Sequence, residues 1–175
     1  VDEARADRQL RLIAEVVAVT AELGIEVWLR GGWAMDFFLG EVTRDHRDID
    51  WFAWTGDVDV LGAELERRGF RTVPGLPPDQ QLDLVKDDED LSFNLLRKDE
   101  GRVVVGGGPF AGSPWPGDML DAHLGHLGDV RCSIINPRTQ IEIKQMMPVW
   151  VPGSPRRPKD AEDIARLRAA LRNTP

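Results

Sequence analysis

Leu10, Ile13, Val17 and Ala21 recur at helical spacing and Gly24 follows them, so the chain opens with an amphipathic helix stopped by glycine. Ile25 to Arg30 then reads as a strand broken at Gly31-Gly32, and Trp33 to Leu39 as a short helix ending at Gly40. Asp48 to Ala53 predicts a second strand, on which Asp48 and Asp50 point the same way because side chains alternate between faces. Asp57 is placed to cap a helix over Val58 to Arg68, with Gly69 as its stop and a strand from Phe70 to Val73 after it. A meander follows: Gln81 to Val85, an acidic turn at Asp87-Asp88-Glu89, Leu91 to Leu96, a turn at Gly101, then Arg102 to Val105. The glycines at 106 to 108 open a long loop through Trp115-Pro116-Gly117, and such a loop is usually functional or mobile. Val130 to Ile135 is strand-like, and Asn136-Pro137 starts a helix that carries Gln140 to Met147. Pro148, Pro152, Pro155 and Pro158 stiffen a connector to a last helix over Asp160 to Leu171.

This mixture predicts an α+β or α/β class built around one mixed, twisted sheet flanked by helices. With 175 residues the chain forms one domain over residues 1–147, with the connector and C-terminal helix of residues 148–175 packed on it. Hydrophobic residues make up 42%, enough for one core, yet no apolar run reaches the roughly 18 residues of a membrane span, so no membrane partner is expected. Val1 to Arg5 lacks the positive start and apolar stretch of a secretory signal, and the single Cys132 has no disulfide partner. Both features suit a reducing cytoplasm.

Charge narrows the partners further. Lys and Arg total 22 against 30 Asp and Glu, a net charge of −8, which opposes binding to a long nucleic acid. Acidity is concentrated between Asp79 and Glu100, whereas Arg156, Arg157, Lys159, Arg166, Arg168 and Arg172 make the C-terminal stretch basic.

The chemistry-bearing stretch is Arg30-Gly31-Gly32-Trp33-Ala34 followed by Arg44-Asp-His-Arg-Asp-Ile-Asp-Trp. Two glycines at a strand-to-helix junction admit a bulky anion, and the free N–H groups of a helix start suit phosphate oxygens. Asp48 and Asp50, two apart on a strand, can share one hard divalent cation. A phosphate cradle followed within about twenty residues by such a pair is what phosphoryl or nucleotidyl transfer requires. Arg44 either touches phosphate or braces the loop through a bidentate pair with an aspartate. Lys144 either reaches the phosphates or covers an exposed helix face. His46 reads as a structural hydrogen-bond partner. His123 and His126 lack the further ligands of a metal site. Trp115, in the long loop, is a candidate to line a ligand.

Gly31-Gly32-Trp33-Ala34-Met35-Asp36, Gly40-Glu41-Val42-Thr43-Arg44 and His46-Arg47-Asp48-Ile49-Asp50 together resemble the antibiotic nucleotidyltransferases of the polymerase-β superfamily, in particular the aminoglycoside 2″-adenylyltransferase-like group and its lincosamide neighbours. The resemblance is strong over residues 28–52 and looser to about residue 100. Asn136-Pro137 with Lys144, and Arg157-Pro158-Lys159-Asp160 with Asp163, also look like the tail of small nucleotidyltransferases.

The resemblance implies a nucleotidyltransferase fold in which Asp48 and Asp50 hold Mg²⁺ on ATP or another nucleoside triphosphate and Gly31 and Gly32 lie along the phosphates. It implies that AMP passes to a hydroxyl of a small, cationic, antibiotic-like acceptor. Such enzymes carry a third carboxylate on a later strand, and that position falls here on Ser92, with Asp90 and Glu142 as substitutes for a base. Alternative readings are a protein-modifying nucleotidyltransferase and a nucleotide-binding module without turnover.

Overall fold

The computed structural model describes residues 1–173. Helix α1 (Glu3–Leu23) begins where the Asp2 carboxylate accepts the Arg5 N–H, and it ends at Gly24, whose φ of 66° is left-handed. Strand β1 (Val27–Arg30) runs into α2 (Gly31–Leu39), and β2 (Asp48–Trp54) leads through a short 3₁₀ turn to α3 (Val58–Arg67). Asp57 makes no side-chain cap there, because the 3₁₀ turn that contains it changes the direction of approach. Strands β3 (Arg71–Thr72), β4 (Gln81–Lys86), β5 (Glu89–Asp99) and β6 (Arg102–Val105) form the meander. Asp87 and Asp88, both at positive φ, make the tight turn between β4 and β5.

Between the long loop and β8 (Val130–Ser133) lies a strand the sequence pattern does not announce, β7 (Leu124–Leu127), which pairs with β8 as a two-stranded ribbon. Gly125 is needed in this ribbon, since a Cβ there would press within 2.8 Å of the Phe37 side chain. Helix α4 (Pro137–Trp150) is capped by Asn136 and continues through Pro148 instead of ending before it. Helix α5 (Pro158–Asn173) closes the described chain.

The sheet runs β1-β2-β5-β4-β3, with β6 on the edge of β5 beyond β4. Only the β2–β5 pair is parallel; the other pairs are antiparallel. The α+β class with a mixed sheet and a C-terminal helix is therefore as expected.

Period-two alternation gives the two faces different tasks. Leu29, Ile49, Trp51, Leu84, Leu91 and Phe93 are withdrawn from solvent and pack with Ile13 and Val16 of α1, Trp33 and Phe37 of α2, and Leu61 and Leu65 of α3. The opposite face is apolar at one end, where Trp28, Phe52 and Leu96 meet Met119, Ile135 and Ile143, and polar at the other. That polar end carries the site.

A buried carboxylate fixes how α1 meets the sheet. Glu89 is 1% exposed and accepts from Arg5 Nε at 3.0 Å, Arg8 Nη2 at 3.1 Å and Gln9 Nε2 at 2.7 Å. Gln9 in turn accepts the Trp33 indole N–H at 3.0 Å and donates to the His46 carbonyl. Replacing Glu89 by Ala leaves one N–H of the buried Gln9 amide unpaired while the other keeps the His46 carbonyl, and one such buried donor typically costs about 1–3 kcal/mol. Urea unfolding of Glu89→Ala is expected to show about 2 kcal/mol less stability with an unchanged m-value.

Candidate active site

Strand register collects the polar side chains into rows. Arg30 pairs with Asp50, Asp50 with Ser92, and Ser92 with Asp83, so one row crosses β1, β2, β5 and β4. Asp48 pairs with Asp90 in the neighbouring row, and Phe52, Asn94 and Gln81 form the row on the other side. Side chains opposite one another share a face, so Asp48, Asp50, Asp83, Asp90 and Ser92 converge. The position matched to a third carboxylate thus adjoins Asp50, but it holds a hydroxyl: Ser92 Oγ donates to Asp50 Oδ1 at 2.7 Å.

Two clefts meet at Asp50. The first, of about 430 Å³, is lined by Arg30, Gly31, Asp50, Asn94 and Gln140, by Lys144, Arg157 and Asp160, and by an apolar wall of Ile135, Ile143, Met147, Pro148 and Pro155. The second, of about 470 Å³, is lined by Asp48, Asp50, Asp83, Asp90 and Ser92 under the loop from Val73 to Leu76. One cleft is basic, the other acidic.

The glycines differ in what they do. Gly31 has a φ of 68°, and a Cβ on it would lie 3.2 Å from Asp50 Oδ2, so it opens the floor beside the carboxylate. At Gly32 a Cβ would overlap the His46 ring and crowd Arg44, so this glycine lets α2 seat against the loop that leads into β2.

That loop is bound from several sides. Asp36, fully buried, lies 2.5 Å from His46 Nε2 and accepts the Thr43 hydroxyl at 2.6 Å. Arg44 donates to His46 Nδ1 at 3.2 Å, which makes Nδ1 the acceptor and leaves the His46 ring proton on Nε2, facing Asp36. The Arg44 fork is bidentate to Asp163 of α5, at 3.1 and 2.8 Å, so Arg44 braces the loop. Lys144 lies against the same Asp163 at 2.9 Å and Asp160 at 3.4 Å while lining the first cleft. Arg157 is bidentate to Asp160.

Asp48 and Asp50 present carboxylate oxygens of the kind a hard cation takes. Burial, with Asp50 as the second cause, pushes the Asp48 carboxyl above its usual value, as expected of a pair whose repulsion a cation would relieve. Among the described residues no group of three or more His, Cys, Asp or Glu is arranged to hold a metal. The pair therefore suits a cation that takes its other ligands from elsewhere. Lys159 lies near enough to Asp48 to oppose its shift, and its own ammonium is pushed down by burial, Arg157 and Arg44.

Asp90, on the row of Asp48, is exposed and lines the acidic cleft. Glu142 is exposed on α4 and is not among the residues lining either cleft. His126 is exposed on β7, and His123 packs on Phe38, with burial pushing its pKa down. Sequence reasoning placed Arg30 in the chemistry-bearing stretch without giving it a role, and it missed Asp83, Asn94, Gln81 and Gln140 as members of the site. The signal for Asp83 was present in Gln81-Leu82-Asp83-Leu84, where the polar members alternate with core leucines.

A family model for aminoglycoside-2″-adenylyltransferase matches residues 12–78. A 2″-aminoglycoside nucleotidyltransferase of Klebsiella pneumoniae and one of Escherichia coli are each 48% identical over 42 residues, which is 24% of this chain and 24% of theirs. The aligned stretch thus spans about a quarter of the curated relatives. Among solved structures, ANT(2″)-Ia in complex with adenylyl-2″-tobramycin superposes with a TM-score of 0.71 at 26% identity, covering 94% of this chain and 90% of that one. The lincomycin-bound lincosamide antibiotic adenylyltransferase LnuA gives 0.70 at 19% identity, covering 90% and 95%. The chain has the nucleotidyltransferase fold. It is similar to the aminoglycoside 2″-adenylyltransferases and to a lincosamide adenylyltransferase.

Asp163 gives the loop a pH limit. Arg44 and Lys144 outweigh the burial that would raise it and hold its carboxyl down at about 2, against an ordinary 3.8. A depressed carboxylate stabilises fully above its unfolded value and loses that contribution as pH falls through its folded value, here about 2 kcal/mol. Thermal unfolding between pH 4 and pH 2 is expected to depend less on pH in Asp163→Asn than in the unaltered protein.

Proposed function

We propose that the protein is an enzyme, a nucleotidyltransferase that moves AMP from ATP to a hydroxyl of a small, cationic, antibiotic-like molecule. The observation that carries this reading is the position of Asp50, shared by a basic cleft suited to a triphosphate and an acidic cleft suited to a cationic acceptor. Asp48 and Asp50 would hold Mg²⁺, which when bound supplies charge neutralisation at the phosphates. Gly31, the Gly31-Gly32 helix start, Lys144 and Arg157 bind and orient the triphosphate, while the apolar wall from Ile135 to Pro155 suits a nucleobase. The acceptor oxygen attacks the α-phosphorus, a new O–P bond forms, the α,β-bridging O–P bond breaks and pyrophosphate leaves. Asp90, facing the acceptor cleft, is the candidate for the hydroxyl proton.

A second reading, binding without turnover, draws support from Ser92, whose hydroxyl is too weak a base to replace a carboxylate. The two are separated by incubating MgATP or MgGTP with aminoglycosides and lincosamides and measuring pyrophosphate and adduct mass. Adducts support transfer; nucleotide binding with no product from any acceptor supports the second reading.

Asp48→Asn and Asp50→Asn preserve shape while removing a charge each. Both are expected to weaken Mg²⁺-dependent ATP binding steeply in calorimetry with little change in folding. Asp90→Ala should keep ATP affinity and lose about 100-fold or more in rate.

The acidic cleft predicts how the acceptor responds to salt. The lining carries Asp48, Asp50, Asp83 and Asp90 and no Lys or Arg, and exposed charges are screened within about 8 Å at physiological ionic strength. Acceptor affinity is expected to fall as salt rises, with a shallower slope in Asp83→Asn. Equal slopes would argue against a cationic acceptor.

A further inference from the structure

Among the described residues no carboxylate comes within 4.0 Å of the Arg30 guanidinium nitrogens. Arg30 stands in register with Asp50 at the end of β1, immediately before Gly31, and lines the basic cleft. Its guanidinium carbon sits 4.3 Å from the centre of the Phe52 ring and 5.5 Å from that of Trp115, an aromatic corner that orients the group without satisfying its donors. Nη1 donates to Asn94 Oδ1 at 2.5 Å, and among the described residues Arg30 makes no other side-chain hydrogen bond and no ion pair within 4.0 Å.

The contrast with the other cations of the cleft is sharp. Lys144 is neutralised by Asp160 and Asp163, and Arg157 by Asp160, whereas Asn94 offers Arg30 only a neutral oxygen. Asn94 is itself committed, since its amide donates to Gln81, whose amide donates to Asp83 Oδ1 at 2.6 Å. Burial pushes the guanidinium pKa down and Asp50 pulls it up, and an arginine retains its proton throughout. A guanidinium packed on two aromatic rings, half-buried and with donors left open to the cleft, is placed to take an anion there. The candidate anion must lie beside Asp50.

We infer that Arg30 binds the α-phosphoryl oxygens of the nucleotide and so fixes the reacting phosphorus between the two clefts. This rests on the nucleotidyltransferase reading and names a residue that reading does not require. The α-phosphoryl is singled out because Arg30 shares a row with Asp50, while Lys144 and Arg157 approach from α4 and the connector. Planar N–H groups directed at two oxygens of one phosphate form the strong, charge-assisted bonds that arginine favours. Arg30 transfers no proton; it holds the group and meets the charge that builds on its oxygens.

The test compares Arg30→Met and Arg30→Lys with the unaltered chain, using calorimetric titration of AMP, adenosine and pyrophosphate in the presence of Mg²⁺, together with thermal unfolding. Methionine fills the aromatic corner without a charge. In Arg30→Met the affinity for AMP should fall tenfold or more, with adenosine and pyrophosphate unchanged and the melting temperature equal or higher. Arg30→Lys should fall in between. Unchanged AMP affinity, a loss confined to pyrophosphate, an equal loss for adenosine, or lowered thermal stability with AMP binding intact would each overturn the assignment. Absence of ATP and AMP binding in the unaltered chain would instead overturn the nucleotide reading on which it rests.

Discussion

The segment from Thr43 to Arg47 delivers the chain into β2, and the placement of both metal-binding candidates depends on its being held by charges from distant parts of the sequence. Asp36 of α2 takes the Thr43 and His46 side chains, Asp163 of α5 takes the Arg44 fork, and Arg5 at the start of α1 reaches the Arg47 carbonyl at 2.9 Å. Asp2 N–H donates to Asp45 Oδ1 from the same direction. Paired buried charges contribute less to stability than to the choice of one geometry, because desolvation offsets much of their attraction. Breaking one pair leaves its partner stranded, so the loop has few alternative positions. The C-terminal helix is therefore part of the site's frame, with Asp163 holding the loop while Asp160 lines the basic cleft.

A second constraint is the parallel pairing of β2 with β5. It sets Ser92 beside Asp50 and Asp90 beside Asp48, and a slip of one residue would turn Asp90 and Ser92 into the core and expose Leu91 and Phe93. Burial of Leu91 and Phe93 thus fixes which polar side chains meet the carboxylate pair.

Much of this was legible from local pattern. Gly24 and Gly40 stop their helices, Asn136-Pro137 starts α4, and the alternation Asp-Ile-Asp places Asp48 and Asp50 on one face. Pairing order was not legible, because alternation says which face a residue takes and nothing about which strand lies beside it. Arg30 was given no role and Asp83 was missed for that reason: each becomes part of the site only through a neighbour across the sheet. Strand β7 was hidden by Gly125, a poor strand former retained for its fit against Phe37. The packing need for Gly32 was not legible either: a Cβ there would overlap the His46 ring, and sequence shows that a glycine stands at a position without showing what presses on it.

The two clefts share a single lining residue, Asp50. One is bounded by α4 and the proline-rich connector, the other by the Val73–Leu76 loop, so these walls come from different parts of the chain. A change in the Val73–Leu76 loop would therefore reshape one cleft and leave the lining of the other as it is, whereas a change at Asp50 alters both at once.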